Sequence, residues 1–260
     1  MSSGTFDGLF SLEDRIAVVT GASRGLGVAI AQGLVAFGAK VYLIARDEAA
    51  LEEASHTIEC GRVHPLPADL SQPAEIERIA RVLGDREQAI DILVNNAATV
   101  WNAPLDSFPT EGWDKVLNLN LRSPFFLIQQ LLPLLRAAAG NSPPSRIINV
   151  ASTDALHVPI TDTYSYTAAK AGLVMLTRML ARRLGPEQIA VNAIAPGPFP
   201  TKMTNKVFEA RGKEFLAQIP LGRFGTPADI AGAAVFLASR AGAFVSGCVL
   251  PVDGGLVGGL

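Results

Sequence analysis

The sequence is poor in cysteine: Cys60 and Cys248 are the only two in 260 residues, and they stand far apart. That excludes a disulfide framework and a Cys-x-x-Cys metal cluster; it points to a reducing compartment, the cytoplasm, and to no bound metal. Charge of one sign is also in short supply, with 22 Lys and Arg against 24 Asp and Glu and a net charge of −2. A nucleic-acid partner, which would leave a basic excess, is therefore not expected. Long apolar runs are missing too. The most apolar stretch, Leu173–Leu184, is broken by Thr177, Arg178, Arg182 and Arg183, so no membrane span is expected. Met1–Phe10 has neither a basic residue nor an apolar run and reads as a short flexible arm, not as a secretory signal.

What is present is enough apolar material for one large core. Hydrophobic residues make up 49% of the chain and charged ones 18%, too apolar a balance for disorder. Short continuous apolar runs fall at Ile16–Thr20, Lys40–Ala45, Val63–Pro67, Ile90–Asn95, Arg146–Ala151, Ile189–Ile194 and Cys248–Val252. Unbroken rather than alternating runs are expected of strands buried on both faces. Helical spacing lies between them at Leu26–Phe37, Glu48–Glu59, Ala74–Leu83, about Gly112 to Ala139, Ser165–Leu184 and Ala228–Ala238. Strand and helix in alternation predict an α/β fold, a seven-stranded parallel sheet wrapped on both faces by right-handed crossovers. Ser71, helped by Glu75, is expected to cap the third helix, with Gly61, Gly84 and Gly140 at helix ends. No linker interrupts the pattern, so residues 1–260 read as a single doubly wound domain.

Three motifs carry chemistry. Thr20-Gly21-Ala22-Ser23-Arg24-Gly25-Leu26-Gly27 follows the first strand and opens the first helix. Glycines there let the backbone approach a diphosphate, and the helix N-terminus offers free N–H groups and partial positive charge. Tyr166 and Lys170 are four apart on a helical pattern and so share a face. A neighbouring ammonium favours the phenolate and is expected to lower the tyrosine's pKa from about 10, giving a proton donor usable near neutral pH. The fifth apolar run ends in Ser152, where parallel strands present ligand-binding groups. Asn95-Asn96-Ala97-Ala98 and Asn192–Thr201 leave two further strands at the same end of the sheet.

With these motifs in this order, the chain resembles the classical short-chain dehydrogenase/reductases from about Leu12 to Gly255. The resemblance implies a Rossmann-type domain binding a nicotinamide dinucleotide. It makes Tyr166 the general acid/base, Lys170 its partner and a ribose ligand, and Ser152 the residue that positions the substrate oxygen. Asn120, in Leu117-Asn118-Leu119-Asn120-Leu121, matches the family's fourth catalytic residue at a helix kink, and Pro124 agrees with a disturbed helix there. By the same resemblance Gly21, Ser23, Arg24, Gly25, Leu26 and Gly27 surround the diphosphate and adenosine ribose, and Asp69 and Leu70 flank the adenine. Asn96 and Ala97 line the cleft, while Pro196, Gly197, Phe199 and Thr201 match the carboxamide segment. The chain departs from the family's pattern at Ala98, where glycine is usual, and at Pro198 and Pro200, which remove a backbone donor.

The second strand ends in Ala45-Arg46 instead of the acidic residue that would accept the ribose 2′-OH of NAD. Arg46 and Arg24 can clamp a 2′-phosphate through their guanidinium forks, which predicts NADP(H) over NAD(H), although Asp47 stands near enough to neutralise Arg46. Within the family the chain resembles bacterial 3-oxoacyl (beta-ketoacyl) reductases of the rhamnolipid-pathway type, through Trp101–Leu105, Gly112–Val116 and Gln129–Arg136. Gluconate 5-dehydrogenase-like, steroid and secondary-alcohol members share most of these motifs, and a non-catalytic dinucleotide-binding protein is the remote alternative. The substrate is expected to be a small molecule, a hydrophobic ketone or 3-oxoacyl thioester. Trp101, His157, Phe199 and Met203 would contact it, and a loop over about 198–221 would cover it. The resemblance implies a homodimer or homotetramer through the helices of 112–139 and 165–184.

Overall fold

The structure, a computed structural model, describes residues 6–58, 61–139, 144–201 and 205–258, with backbone alone for 205–208. Seven strands form one parallel sheet: β1 (Ile16–Thr20), β2 (Lys40–Ala45), β3 (Val63–Pro67), β4 (Ile92–Asn95), β5 (Ser145–Val150), β6 (Ile189–Pro196) and β7 (Val249–Val252). Their spatial order is β3-β2-β1-β4-β5-β6-β7. The chain reverses direction across the sheet between β1 and β4, and in such folds the ligand crevice opens at the carboxyl ends of those two strands. The central strands are apolar on both faces because helices cover both, whereas β3, an edge strand, tolerates Pro65 and Pro67.

One face is covered by α1 (Gly25–Ala36), α2 (Glu48–Thr57) and α8 (Pro227–Ala238), packed around Ile30, Leu34, Leu51, Ile230 and Leu237. The other carries α3 (Pro73–Arg86), α5 (Ser123–Ala139) and α6 (Tyr164–Leu184), with Ile79, Leu83, Leu131 and Leu135 in the core. Helix α4 (Thr110–Leu117) runs into α5 through a π-turn at Asn118–Arg122. The expected helix from Gly112 to Ala139 is thus two helices joined by one wide turn. Pro124 has no N–H to offer the preceding turn, and the Ser123 N–H closes the wider ring onto Asn118 O.

Several local expectations are corrected. Ser71 does not cap α3: its N–H and Oγ both donate to Asp69, at 3.0 and 2.8 Å, Gln72 takes the cap position, and Glu75 pairs with Arg78 at 2.7 Å. Gly84 lies inside α3, and Gly140 is outside the described residues. The described part of the expected arm, residues 6–10, is docked, with Leu9 O accepting from Ala241 N at 3.2 Å. Within the expected 198–221 loop the chain forms α7 (Asn205–Gln218), bent at Arg211, where φ is −131° and ψ 16°. Helix-favouring residues on both sides of that bend outweigh Gly212 inside it and Pro220 beyond it.

Candidate active site

The glycine turn is built by contact, not by flexibility alone. Gly21 and Gly25 have φ of +64° and +60°. A methyl group on Gly21 would lie 2.7 Å from Ala97 Cα, and one on Gly27 would lie 2.3 Å from Gly21 O. The facing strand end holds the turn: Asn96 Nδ2 donates to Thr20 O at 2.9 Å and Gly21 O at 3.1 Å. The N–H groups of Asn96 and Ala97 both donate to Thr20 Oγ1, at 2.9 and 3.0 Å. Helix α1 then starts with no side-chain cap and no acidic residue in its first turn, so its positive end is left for an anion.

Arg24 and Arg46 flank this cradle, both exposed, and neither guanidinium bonds to a described residue. Asp47 does not neutralise Arg46: it is the N-cap of α2 and accepts from Ala50 N at 3.1 Å. A glycine cradle, an uncapped helix end and two unengaged arginines fit a dinucleotide that carries an extra phosphate.

The reacting groups converge beyond β5. Ser152, extended and buried, accepts from Asp154 N at 3.1 Å and opens a short 3-10 turn, Thr153–Ala155. From α6, Tyr166 comes near Ser152, whose side chain favours its ionised form, and Lys170 Nζ lies 5.6 Å from the tyrosine ring centre. The ammonium donates to Val150 O at 2.6 Å. The expected lowering of the tyrosine's pKa is not what the fold produces. Burial, reinforced by Asp154, pushes the phenol up to about 12, with Ser152 pulling the other way. Burial pushes Lys170 down to about 8, opposed by Asp154. Desolvation is the largest cause for both groups, Lys170 being buried and Tyr166 half-buried.

Asn120 occupies the π-turn and is fully buried. Its Oδ1 accepts from Thr99 N at 2.9 Å and its Nδ2 donates to Thr99 O at 2.8 Å, fixing the segment that leaves β4. Beneath the site runs a buried chain that the motifs gave no hint of. Asn95 Nδ2 donates to Asn149 Oδ1, and Asn149 Nδ2 donates to Thr177 Oγ1, both at 2.9 Å, tying β4, β5 and α6 together.

The remaining residues scatter in role. Ser23 and Leu26 lie in the cradle segment, half-buried. Asp69 spends its carboxylate on Ser71, and Leu70 is buried with its carbonyl held by Ser123 Oγ. Pro196 O accepts from Thr153 Oγ1 at 3.3 Å, and Gly197 N donates to Val252 O at 3.0 Å. Phe199 is not a pocket wall: its ring is buried in the core against Gly225, where a methyl group would lie 2.4 Å from it. Thr201 faces Gly25, 3.6 Å from where a side chain there would begin. Trp101 packs on Gly112 and lies beneath Lys115, whose Nζ is 5.5 Å from the ring centre. His157 turns Nδ1 to Val158 O at 3.0 Å. Met203 lies outside the described residues. Ala98 keeps a negative φ, so the missing glycine causes no backbone strain.

Comparison with known proteins agrees with this geometry. The family described as Enoyl-(Acyl carrier protein) reductase matches residues 21–257. The rhamnolipids biosynthesis 3-oxoacyl-[acyl-carrier-protein] reductase of Pseudomonas aeruginosa is 47% identical over 95% of this chain and 97% of its own. The 2-dehydro-3-deoxy-D-gluconate 5-dehydrogenase of Escherichia coli is 39% identical over 95% and 96%. The solved Pseudomonas aeruginosa RhlG/NADP active-site complex superposes with a TM-score of 0.92 at 45% identity, covering 96% of this chain and 99% of that one. The chain belongs to the short-chain dehydrogenase/reductase family.

Proposed function

We propose that the protein is an NADP(H)-dependent oxidoreductase that reduces the carbonyl of a hydrophobic ketone or 3-oxoacyl thioester. The observation that carries this reading is the meeting of Ser152, Tyr166 and Lys170 at the carboxyl end of β5, beside the Gly21–Gly27 cradle flanked by Arg24 and Arg46. Gly21, Ser23, Gly25, Leu26, Gly27, Asn96 and Ala97 would hold the dinucleotide's diphosphate side, and the two arginines its 2′-phosphate. Asp69 and Leu70 would flank the adenine, and the Pro196–Thr201 segment the carboxamide. When bound, the dinucleotide supplies the hydride.

The chain's own residues handle the proton and the substrate oxygen. Ser152 Oγ donates a hydrogen bond to the carbonyl oxygen, and Tyr166, whose raised pKa keeps it protonated at neutral pH, gives its proton to that oxygen as it becomes a hydroxyl. Lys170 fixes this end of α6 to β5 through Val150 O, and Asn120 fixes the strand-end segment opposite.

The substrate class rests on the apolar segments that follow β5 and α7. Val158 and Ile160 on the first and Leu221 on the second are exposed, and Arg211 NH1 donates to Ile160 O at 3.0 Å, joining α7 to the segment before α6. Residues 198–221 then form the substrate-covering part of one domain, with Trp101, His157 and Met203 toward the substrate. A sugar-acid dehydrogenase is the second reading, favoured by the 39% identity to the Escherichia coli enzyme. Phe125, Phe126, Met175 and Met179 are exposed on α5 and α6, which supports a homodimer or homotetramer through those helices. No helix among the described residues is long and apolar enough to cross a membrane, and the sparse cysteines support a cytoplasmic location. NADPH consumption screened against acetoacetyl thioesters, medium-chain ketones, steroids and keto-sugar acids tests the reading. The first two classes should turn over fastest; a preference for keto-sugar acids would transfer the assignment to the second reading.

A further inference from the structure

Asn149 and Thr177 belong to the buried chain beneath the site, and the scheme above gives neither a part. Along β5 the side chains of Ile147 and Asn149 face the side covered by α3, α5 and α6, while those of Ile148 and Val150 face the other. Asn149 Nδ2 donates to Thr177 Oγ1 at 2.9 Å, and the threonine hydroxyl donates its own proton to Leu173 O, one turn back in α6, at 2.8 Å. With that proton committed, the oxygen is left as an acceptor, so the bond from Asn149 runs in one direction. Asn149 Oδ1 is in turn occupied by Asn95 Nδ2 at 2.9 Å, from the residue that pairs with Asn149 across β4 and β5. All three side chains are buried, Asn149 and Thr177 completely.

Val150, the next residue of β5, holds Lys170 through its carbonyl at 2.6 Å. Lys170 and Thr177 are two helical turns apart and Tyr166 stands one turn before Lys170, so the three lie along one stripe of α6. Consecutive residues of one strand therefore tie the helix at two heights. The apolar contacts of Ala181 and Leu184 farther along α6 are not directional. A buried polar pair is directional and specifies register, and a slip of one residue along a helix moves every group on it by about 1.5 Å.

Resting on the reading of Tyr166 and Lys170 as the proton-donating pair, we propose that Thr177 is a positioning residue for them: its hydroxyl, held between Leu173 O and the Asn149 amide, sets where α6 stands on β5 and so how far Tyr166 lies from a substrate oxygen beside Ser152. Lys170 can then share its donors between Val150 O and a cofactor hydroxyl without loosening the helix, because Asn149 and Thr177 hold it two turns away.

The test compares wild type, Thr177→Val and Thr177→Ser in single-turnover reduction of an acetoacetyl thioester, with NADPH affinity measured on the same samples. Valine keeps the branched shape and removes the hydroxyl; serine keeps the hydroxyl. In Thr177→Val the rate should fall about tenfold or more, since an ångström of misplacement at a reacting centre can cost about 100-fold. NADPH affinity should stay within about threefold of wild type, because the Gly21–Gly27 cradle is built from β1, α1 and the end of β4 and not from α6. Thr177→Ser should recover most of the rate. An unchanged rate in folded Thr177→Val overturns the proposal. So does a loss that serine does not restore, or one that NADPH affinity shares in full, either of which marks a general loosening of the fold. If Thr177→Val does not fold because the Asn149 amide is left unpaired, Thr177→Ala decides by the same criteria, since the space it opens lies beside that amide and admits a water to pair with it. Tyr166→Phe is the control for the underlying reading: turnover surviving there removes the proton donor itself, whereas turnover lost there but kept in Thr177→Val removes only the positioning role.

Discussion

Lys170 and Val150 are joined by a hydrogen bond of 2.6 Å, from a buried ammonium to the carbonyl of the last residue of β5. The charge sits there without a hydrogen-bonded carboxylate, and burial lowers its pKa to about 8. The fold therefore carries a stability cost at neutral pH at the place where the reading above needs a fixed cation.

The sign of that cost gives the first prediction. Lys170 titrates near 10.5 when unfolded and about 8 in the fold, so between these values the unfolded chain binds the extra proton and stability rises with pH. Below pH 8 the penalty is present in full. Lys170→Met removes it, so in denaturant unfolding without cofactor the stability difference between variant and wild type should shift toward wild type from pH 7.5 to 10.5. The total change is about 3 kcal/mol, at roughly 1.4 kcal/mol per pH unit. A difference that stays flat across this range contradicts the assignment.

The glycine cradle predicts a loss of binding from one methyl group. Gly27→Ala places a carbon 2.3 Å from Gly21 O and 2.6 Å from Asn96 Nδ2. The turn must open, at about 1–3 kcal/mol for overpacking, and the Asn96 hydrogen bonds to Thr20 O and Gly21 O weaken with it. Fluorescence titration with NADPH should show affinity reduced at least roughly tenfold in a folded protein, since about 1.4 kcal/mol is a tenfold change. Unchanged affinity would show that the cofactor does not approach this turn.

Cofactor choice is tested at Arg46. Arg46→Asp replaces an unengaged cation with an acceptor for a ribose hydroxyl and a repellent for a phosphate. The ratio of kcat/KM for NADPH over NADH should fall by a factor on the order of 100 or more, about 3 kcal/mol for exchanging attraction with repulsion. A ratio that does not move would place the 2′-phosphate elsewhere.

The order of elements was legible in the sequence because strands buried on both faces must be written as unbroken apolar runs, and the glycine turn and Tyr166/Lys170 pair because their spacing is their function. The bent helix over 205–218 was not, since Gly212 and the prolines around the segment read as loop while packing decides otherwise. The rise in the Tyr166 pKa was not legible for a related reason: spacing reveals the ammonium but not how far the fold removes the pair from water. Phe199 looked like a pocket residue because it is apolar and near the site, yet Gly225, distant in sequence, leaves the space that buries it. Arg146, buried and held by the carbonyls of Leu237 at 3.0 Å and Ser239 at 3.1 Å, likewise depends on a helix end that no local pattern announces.

On the proposed function, Tyr166 transfers the proton while the glycine cradle and arginines bind the cofactor independently of it. Single-turnover reduction by Tyr166→Phe, with NADPH binding measured on the same sample, tests it most directly. NADPH affinity should stay within about threefold of wild type, a difference under roughly 0.7 kcal/mol, while reduction falls by about 10³-fold or more, the scale of a lost general acid. Reduction at a wild-type rate with NADPH still bound would contradict it.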